Sequence, residues 1–476
     1  ILNNMKRRQL EDMQSNEMRA HRFVDAFVSG QDWADAVGEM QRLDTLTKKT
    51  VVDCARRMLT EGYGCVYKRQ GTDTTAQKID KPKISPIETN RDQVSAFVDS
   101  VLKMPVAEVE PVFVDFSREI QTGKLTGGNE LITHRDINSR LFSLTFVIER
   151  GTKEDPALAI AEQYMPYLGT DSLSATELQS RLYALACDVS LSTGDGRTHL
   201  SISGLAENME EALRLAEKWI GTAQPDTNVY AQVVNDILKL RTDNKANQKS
   251  CFRALSLYGI YGPHNELTDA LDAEQMRQMG AEGVLDHLRS LSGYAQHVLY
   301  YGPLETNQVC RLVNKLHPMS QNPVAAHESQ FYTPQKVDQD QVILAPYQAK
   351  NTHMMGFSSR DEAFDLEVLP YVGIFNEYFG GGMNSIVFQE LRESRGLAYS
   401  AGASFSQASN DADRERFYTR IITQNDKVKD CLEVFDQIVE QMPVSESAFS
   451  LARDAVLKRL ATERTLREDV LECYLR

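Results

Sequence analysis

The chain has 476 residues, 42% of them hydrophobic and 25% charged, with a formal net charge of −15, so it can bury several cores and divides, at about 150 residues per domain, into about three units. The acidic balance argues against nucleic acid, whose phosphates need a basic surface. No apolar run approaches the roughly 18 residues of a membrane-crossing helix, which argues against a membrane partner. Cys54, Cys65, Cys187, Cys251, Cys310, Cys431 and Cys473 are odd in number and scattered without a CxxC pair, so buried free thiols are expected rather than a disulfide framework or a thiolate zinc site.

In chain order, residues 5–27 alternate charges of both signs with Leu10, Met13, Met18, Phe23 and Phe27, which predicts one amphipathic helix packed on its own module. Residues 45–71 then follow the same plan as 276–303: an amphipathic helix, a Gly-Tyr break and a short strand ending near Gly. Between them, 72–92 is polar with Lys and Pro interspersed and reads as an exposed linker. LFSLTFVI at 141–148 is predicted as a strand, and GDGRT at 194–198 as a hairpin turn between two strands rather than a binding loop.

A second correspondence joins 159–220 with 370–439. Each stretch has a helix ending at Gly, a second helix with a Leu-Arg run, strands, and a closing helix. Helices separated by strand pairs in fixed order predict an α+β fold built of repeated modules, each an antiparallel-rich sheet packed with helices. The expected division is 1–71 as the tail of a preceding module, 72–106 as linker, 107–325 as a complete module and 326–476 as a partial one. Residues 446–476 read as helical with no closing strand after them, so the sequence looks like part of a longer polypeptide.

The densest signal is FGGGMNSIVFQELRESRGLAY, Phe379 to Tyr399. Val387, Phe388 and Leu391 recur at helical spacing, and Gly396 stands where a left-handed helix stop falls. Beyond it Leu397, Tyr399, Ala401, Ala403 and Phe405 alternate as a strand does. A helix-to-strand turn of this kind lets the guanidinium of Arg392 and the phenol of Tyr399 converge on one spot. The plain alternative is a core tyrosine and a solvated helix charge. Gly380-Gly381-Gly382 lacks the Lys-Ser/Thr of a phosphate cradle and reads as a helix-to-helix turn that touches substrate.

In these words the chain resembles the insulinase/pitrilysin family of zinc metallopeptidases, whose C-terminal halves carry a glycine-containing stretch, a helix ending in Arg and a Gly-x-Tyr-like strand. The polar linker is similar to that of its presequence-degrading branch. The resemblance implies four related modules forming a clamshell, of which this chain is one half. It implies a zinc metalloendopeptidase that degrades peptides in an enclosed chamber, with Arg392 and Tyr399 as catalytic residues directed at the scissile carbonyl and its oxyanion. Gly381 and Gly382 are the expected substrate contacts. Zinc is implied as a cofactor held by the N-terminal half of the same polypeptide, through an inverted His-x-x-Glu-His on a helix, and no metal in this chain. This half alone is then expected to be inactive. The competing reading is a structural or assembly subunit that has lost the metal site.

The histidines agree with that absence. His21, His134, His199, His264, His287, His297, His317, His327 and His353 never stand closer than ten residues apart, so none forms a helical zinc pair. Laid on the family's zinc helix by Gly169-Thr170, residues 157–168 offer Ile160, Gln163 and Tyr164.

Overall fold

The computed structural model describes residues 1–59, 62–71, 95–105, 107–324, 330–409 and 413–475. The chain forms two compact units, Phe23–Glu110 and Ile1–Arg22 together with Pro111–Arg476. Most of the expected linker, 72–94, lies outside the described residues, as do His327 and the expected module boundary at 325.

The smaller unit is helical. Phe23 stacks on Trp33 with ring centroids 4.2 Å apart, and Thr47 caps the helix Lys48–Met58 by accepting from the Thr50 amide. The strand expected after this helix does not form in residues 62–71. Tyr63 and Val66 are 91% and 97% exposed. A strand is made by its ladder, and this stretch has no partner strand among the described residues.

In the larger unit the backbone builds two sheets. The first has six strands in the order β1-β2-β6-β3-β5-β4: β1 Ile120–Lys124, β2 Glu130–Arg135, β3 Leu141–Ile148, β4 Cys187–Thr193, β5 Thr198–Leu205 and β6 Gln296–Gly302. Only β2 and β6 pair in parallel; the other neighbours are antiparallel. GDGRT is the expected hairpin, with Thr193 opposite Thr198. Both faces of this sheet are covered, which is why β3 is apolar almost throughout. Leu131, Leu144, Phe146, Val298 and Tyr300 face one core with Met209, Leu213, Val309 and Val313 of two covering helices. Ile132, Val147, Leu299 and Tyr301 face the other, closed by Val470 and Leu471 of the helix Glu468–Leu475. The last described helix thus closes the sheet of the preceding module.

The second sheet has three strands in the order β7-β9-β8, with β7 Asn351–Arg360, β8 Ala398–Ser406 and β9 Glu415–Gln424. That order repeats β3-β5-β4. The helices also correspond: Ala157–Tyr164, Ala175–Leu185 and Met209–Thr222 in one module, Leu369–Asn376, the turns from Ile386 to Ser394, and Val428–Glu440 in the other. Among the described residues nothing takes the place of β6. In the first sheet β6 is the only neighbour that joins β2 to β3, so the stretch 341–346, apolar but without such a bridge, stays outside any strand, with Val342 85% and Leu344 84% exposed.

Two expectations are corrected. Residues 5–27 do not form one helix. The helix breaks at Ser15 into Leu2–Gln14 and Asn16–Val28, Leu10 packs on Leu141, Ala186 and Leu205 of the six-stranded module, and Phe27 is 86% exposed. The cysteines are not uniformly buried either. All seven are free, but only Cys187 and Cys431 are buried, while Cys65 and Cys473 are exposed. Cys65 lies in the unpaired stretch 62–71 and Cys473 on the outer side of the closing helix.

Candidate active site

The Arg392/Tyr399 segment begins at Ser385, which is fully buried. Its hydroxyl donates to the Gly382 carbonyl at 2.6 Å and its amide donates to the same oxygen at 3.1 Å. From there one α-helical turn, Ile386–Phe388, widens into a π-helical turn, Gln389–Ser394. Ile386, Val387 and Leu391 point into a core shared with Phe379, Ala401, Ala403, Cys431 and Val434. Arg392, one residue past buried Leu391, is left at the rim, its side chain 48% exposed. Its guanidinium carbon lies 4.9 Å from the centre of the Phe388 ring, one turn back, a cation–π contact that fixes the planar head without consuming its N–H donors.

The turn that follows is pinned from several sides. Gly396 adopts φ +57°, the left-handed stop that its lack of a side chain permits. Its amide donates to the Arg392 carbonyl at 3.1 Å, and the Leu397 amide to the Leu391 carbonyl at 2.8 Å. Lys427 donates to the Gly396 carbonyl at 2.8 Å. The fully buried Thr423 donates to the Leu397 carbonyl at 2.6 Å.

Tyr399 is placed by an irregularity rather than by alternation. On β9, Thr423 opposes Ala398 and Ile422 opposes Ser400, so Tyr399 is the extra residue of a β-bulge. Ala398, Ala401 and Ala403 are buried, whereas Tyr399 is 56% exposed. The expectation that Tyr399 shares the face of Ala401 and Ala403 is therefore corrected, because the inserted residue resets the period of two. Gln424 donates its amide N–H to the Tyr399 hydroxyl oxygen at 3.1 Å. Arg392 and Tyr399 thus stand at the rim on the two limbs of one rigid turn, each held by its own partner, with no hydrogen bond between them.

The glycine triplet is placed against β8. Its first part is a π-helical turn, Glu377–Gly381, and a β-carbon on Gly380 would overlap the backbone of Ala403. Gly380 is the residue whose smallness this packing demands. Gly381 is exposed, and the Gly382 carbonyl is committed to Ser385.

No three His, Cys, Asp or Glu side chains gather as a metal site among the described residues. At the positions aligned with the zinc helix, Ile160 and Tyr164 are buried, and the Tyr164 hydroxyl both donates to the Asp226 carbonyl at 3.0 Å and accepts from the Asp226 amide at 2.7 Å. These residues do not fit a zinc ion. A separate cleft of about 220 Å³ lies at the GDGRT hairpin, lined by Asp195, Tyr261, Tyr332 and Arg416 among others, with no residue of the Arg392/Tyr399 turn in its lining. No helix among the described residues is long and apolar enough to cross a membrane.

Residues that sequence reasoning missed are Phe388 as the support of Arg392, and Thr423, Gln424 and Lys427 as the clamp on the turn. Phe388 stands four positions before Arg392, a helical neighbour by spacing alone. The other three lie beyond a strand whose register no local pattern reveals.

Residues 296–455 match the model of the peptidase M16 inactive domain, and no curated protein matches the chain. Among solved structures the chain is similar to a peptidase M16 inactive domain from Pseudomonas fluorescens, at 17% identity and a TM-score of 0.57, over 72% of this chain and 84% of that one. It is similar to the periplasmic protease PqqL from Escherichia coli, at 13% identity and a TM-score of 0.61, over 99% of this chain and 55% of that one. A mutant of the ferredoxin protease FusC in complex with Arabidopsis ferredoxin is similar at 10% identity and a TM-score of 0.60, over 94% of this chain and 52% of that one. The chain spans about half the length of these two proteases. Residues 296–455 thus match a peptidase M16 inactive domain, and together with the fold of those structures this supports the resemblance of the chain to a C-terminal half of the insulinase/pitrilysin-like peptidases.

Proposed function

We propose that this chain is the metal-free wall of a zinc metalloendopeptidase that degrades peptides within a chamber. The N-terminal half of the same polypeptide would supply the zinc, its ligands and the general base. The residues here do not fit the metal, so the chemistry assigned to them is charge stabilisation alone. Arg392, whose Nε lies 3.8 Å from the Glu393 carboxylate, orients the peptide carbonyl with its terminal N–H donors. Tyr399 donates its hydroxyl hydrogen to the oxygen as negative charge develops there. Preorganised donors of this kind contribute about 3 kcal/mol each to a transition state. Exposed Gly381 and adjacent Gly382 offer backbone surface to the peptide, and an extended substrate adds to a sheet edge through main-chain hydrogen bonds.

The observation that carries this reading is the bulge that turns Tyr399 out of a strand whose neighbouring alanines are buried. A tyrosine serving only the core would follow those alanines inward. The neighbour in complex with ferredoxin supports a polypeptide as the ligand of this fold. The deciding experiment compares peptide hydrolysis and zinc content of this chain alone and of the full-length polypeptide. Hydrolysis confined to the zinc-bearing full-length protein is expected. A full-length protein that binds no zinc and cleaves no peptide would leave the structural-subunit reading in its place.

A further inference from the structure

We infer that Gln424 is a positioning residue that sets the direction of the Tyr399 hydroxyl hydrogen, an inference that rests on the proposed role of Tyr399. A phenol has one O–H donor and two lone pairs. The Gln424 side-chain N–H enters one of those lone pairs, with nitrogen and oxygen 3.1 Å apart. The hydroxyl hydrogen then points away from Gln424, toward the open side that leaves Tyr399 56% exposed. A donor on the phenol oxygen also polarises the O–H bond, and chains of hydrogen bonds strengthen one another by about 10–30% per link. The interaction therefore aims the hydroxyl and improves it as a donor to an oxyanion.

The backbone explains why Gln424 reaches this place. It is the last residue of β9 and pairs with Asn351 of β7, and Thr423 before it is buried and bonded to the Leu397 carbonyl. Because the bulge shifts β8 by one residue between Ala398 and Ser400, Tyr399 leans toward this end of β9. The irregularity that exposes Tyr399 also brings it to its hydrogen-bond donor.

Gln424→Glu separates aiming from packing, since it keeps the shape but replaces the N–H donor by a carboxylate that accepts the phenol's hydrogen and draws it inward. In the full-length peptidase this variant is expected to lose about tenfold or more in kcat at neutral pH, with KM and melting temperature unchanged, and to recover relative to wild type as the pH falls and the carboxyl regains a proton to donate. It should lower kcat no further in a Tyr399→Phe background. In this chain, 13Cζ-tyrosine NMR should show the Tyr399 signal, assigned by its loss in Tyr399→Phe, displaced by Gln424→Glu. An unchanged kcat and an unmoved Tyr399 signal in Gln424→Glu, beside a clear loss in Tyr399→Phe, overturn the positioning role alone. An unchanged kcat in Tyr399→Phe overturns this role together with the reading on which it rests.

Discussion

The hydroxyl of Thr423 donates to the carbonyl of Leu397 at 2.6 Å from a position with no solvent exposure, which ties the strand after the candidate site to the turn within it. Thr423→Val keeps the shape and leaves that carbonyl with the weak Cys431 thiol contact at 3.6 Å. A loss of about 1–2 kcal/mol is expected, read from urea unfolding. Stability equal to wild type would mean that the turn does not depend on this bond.

Gly380 and Gly373 form a paired test of the glycine run. A β-carbon at Gly380 meets the Ala403 backbone, whereas one at Gly373, in the helix Leu369–Asn376, meets nothing within 4 Å. Gly380→Ala should destabilise by about 1–3 kcal/mol. Gly373→Ala should be neutral or up to about 1 kcal/mol more stable, because it removes backbone freedom from the unfolded chain. Equal melting temperatures for the two variants would contradict the close approach of the turn to β8.

Arg392 and Tyr399 are exposed enough that their loss should spare the fold. In the full-length protein, Tyr399→Phe should lower kcat on the order of 100-fold with little change in KM or melting temperature. Arg392→Lys keeps the charge but loses the planar fork, and it should be nearly as impaired as Arg392→Ala. Parallel losses of activity and thermal stability would return both residues to a structural role.

The six-stranded module should weaken in alkali. Burial pushes the Cys187 thiol from 9.0 to about 11 and the Tyr300 and Tyr301 phenols from 10.0 to about 12. The folded state holds these protons more tightly than the unfolded chain, so the unfolded state releases them first as pH rises. Stability is therefore full below about pH 9 and falls progressively up to about pH 12. Urea midpoints across that range check the sign, and in Cys187→Ala the fall between pH 9 and 11 should be shallower. A midpoint that rises with pH in this window would contradict the assignment.

What the sequence disclosed follows the range of the forces involved. The helix through Val387 and Leu391, the stop at Gly396 and the GDGRT hairpin are local patterns, and they were legible. So was the order of elements shared by 159–220 and 370–439, because a repeated core repeats its spacing. The bulge at Tyr399 was not legible, since it exists only in the register between β8 and β9, and a sequence written as alternation cannot show that one residue is unpaired. The strand expected in 62–71 failed for a related reason: its residues have the right propensity but no partner in this chain's described structure. Leu10 was recognised as apolar, while its destination on Leu141 and Leu205 depends on contacts across most of a module.

The place of β6 has a consequence for synthesis. Its flanking strands are complete by Ile148, but β6 begins only at Gln296. At roughly 5–20 residues per second, a nascent chain waits on the order of ten seconds with the inner edges of β2 and β3 unpaired. Those edges present unpaired N–H and C=O groups between apolar faces and are ready to accept any extended segment, including the same edge on a neighbouring ribosome's product. Production of this chain should therefore depend on holdase chaperones and on temperature more steeply than its finished stability would suggest.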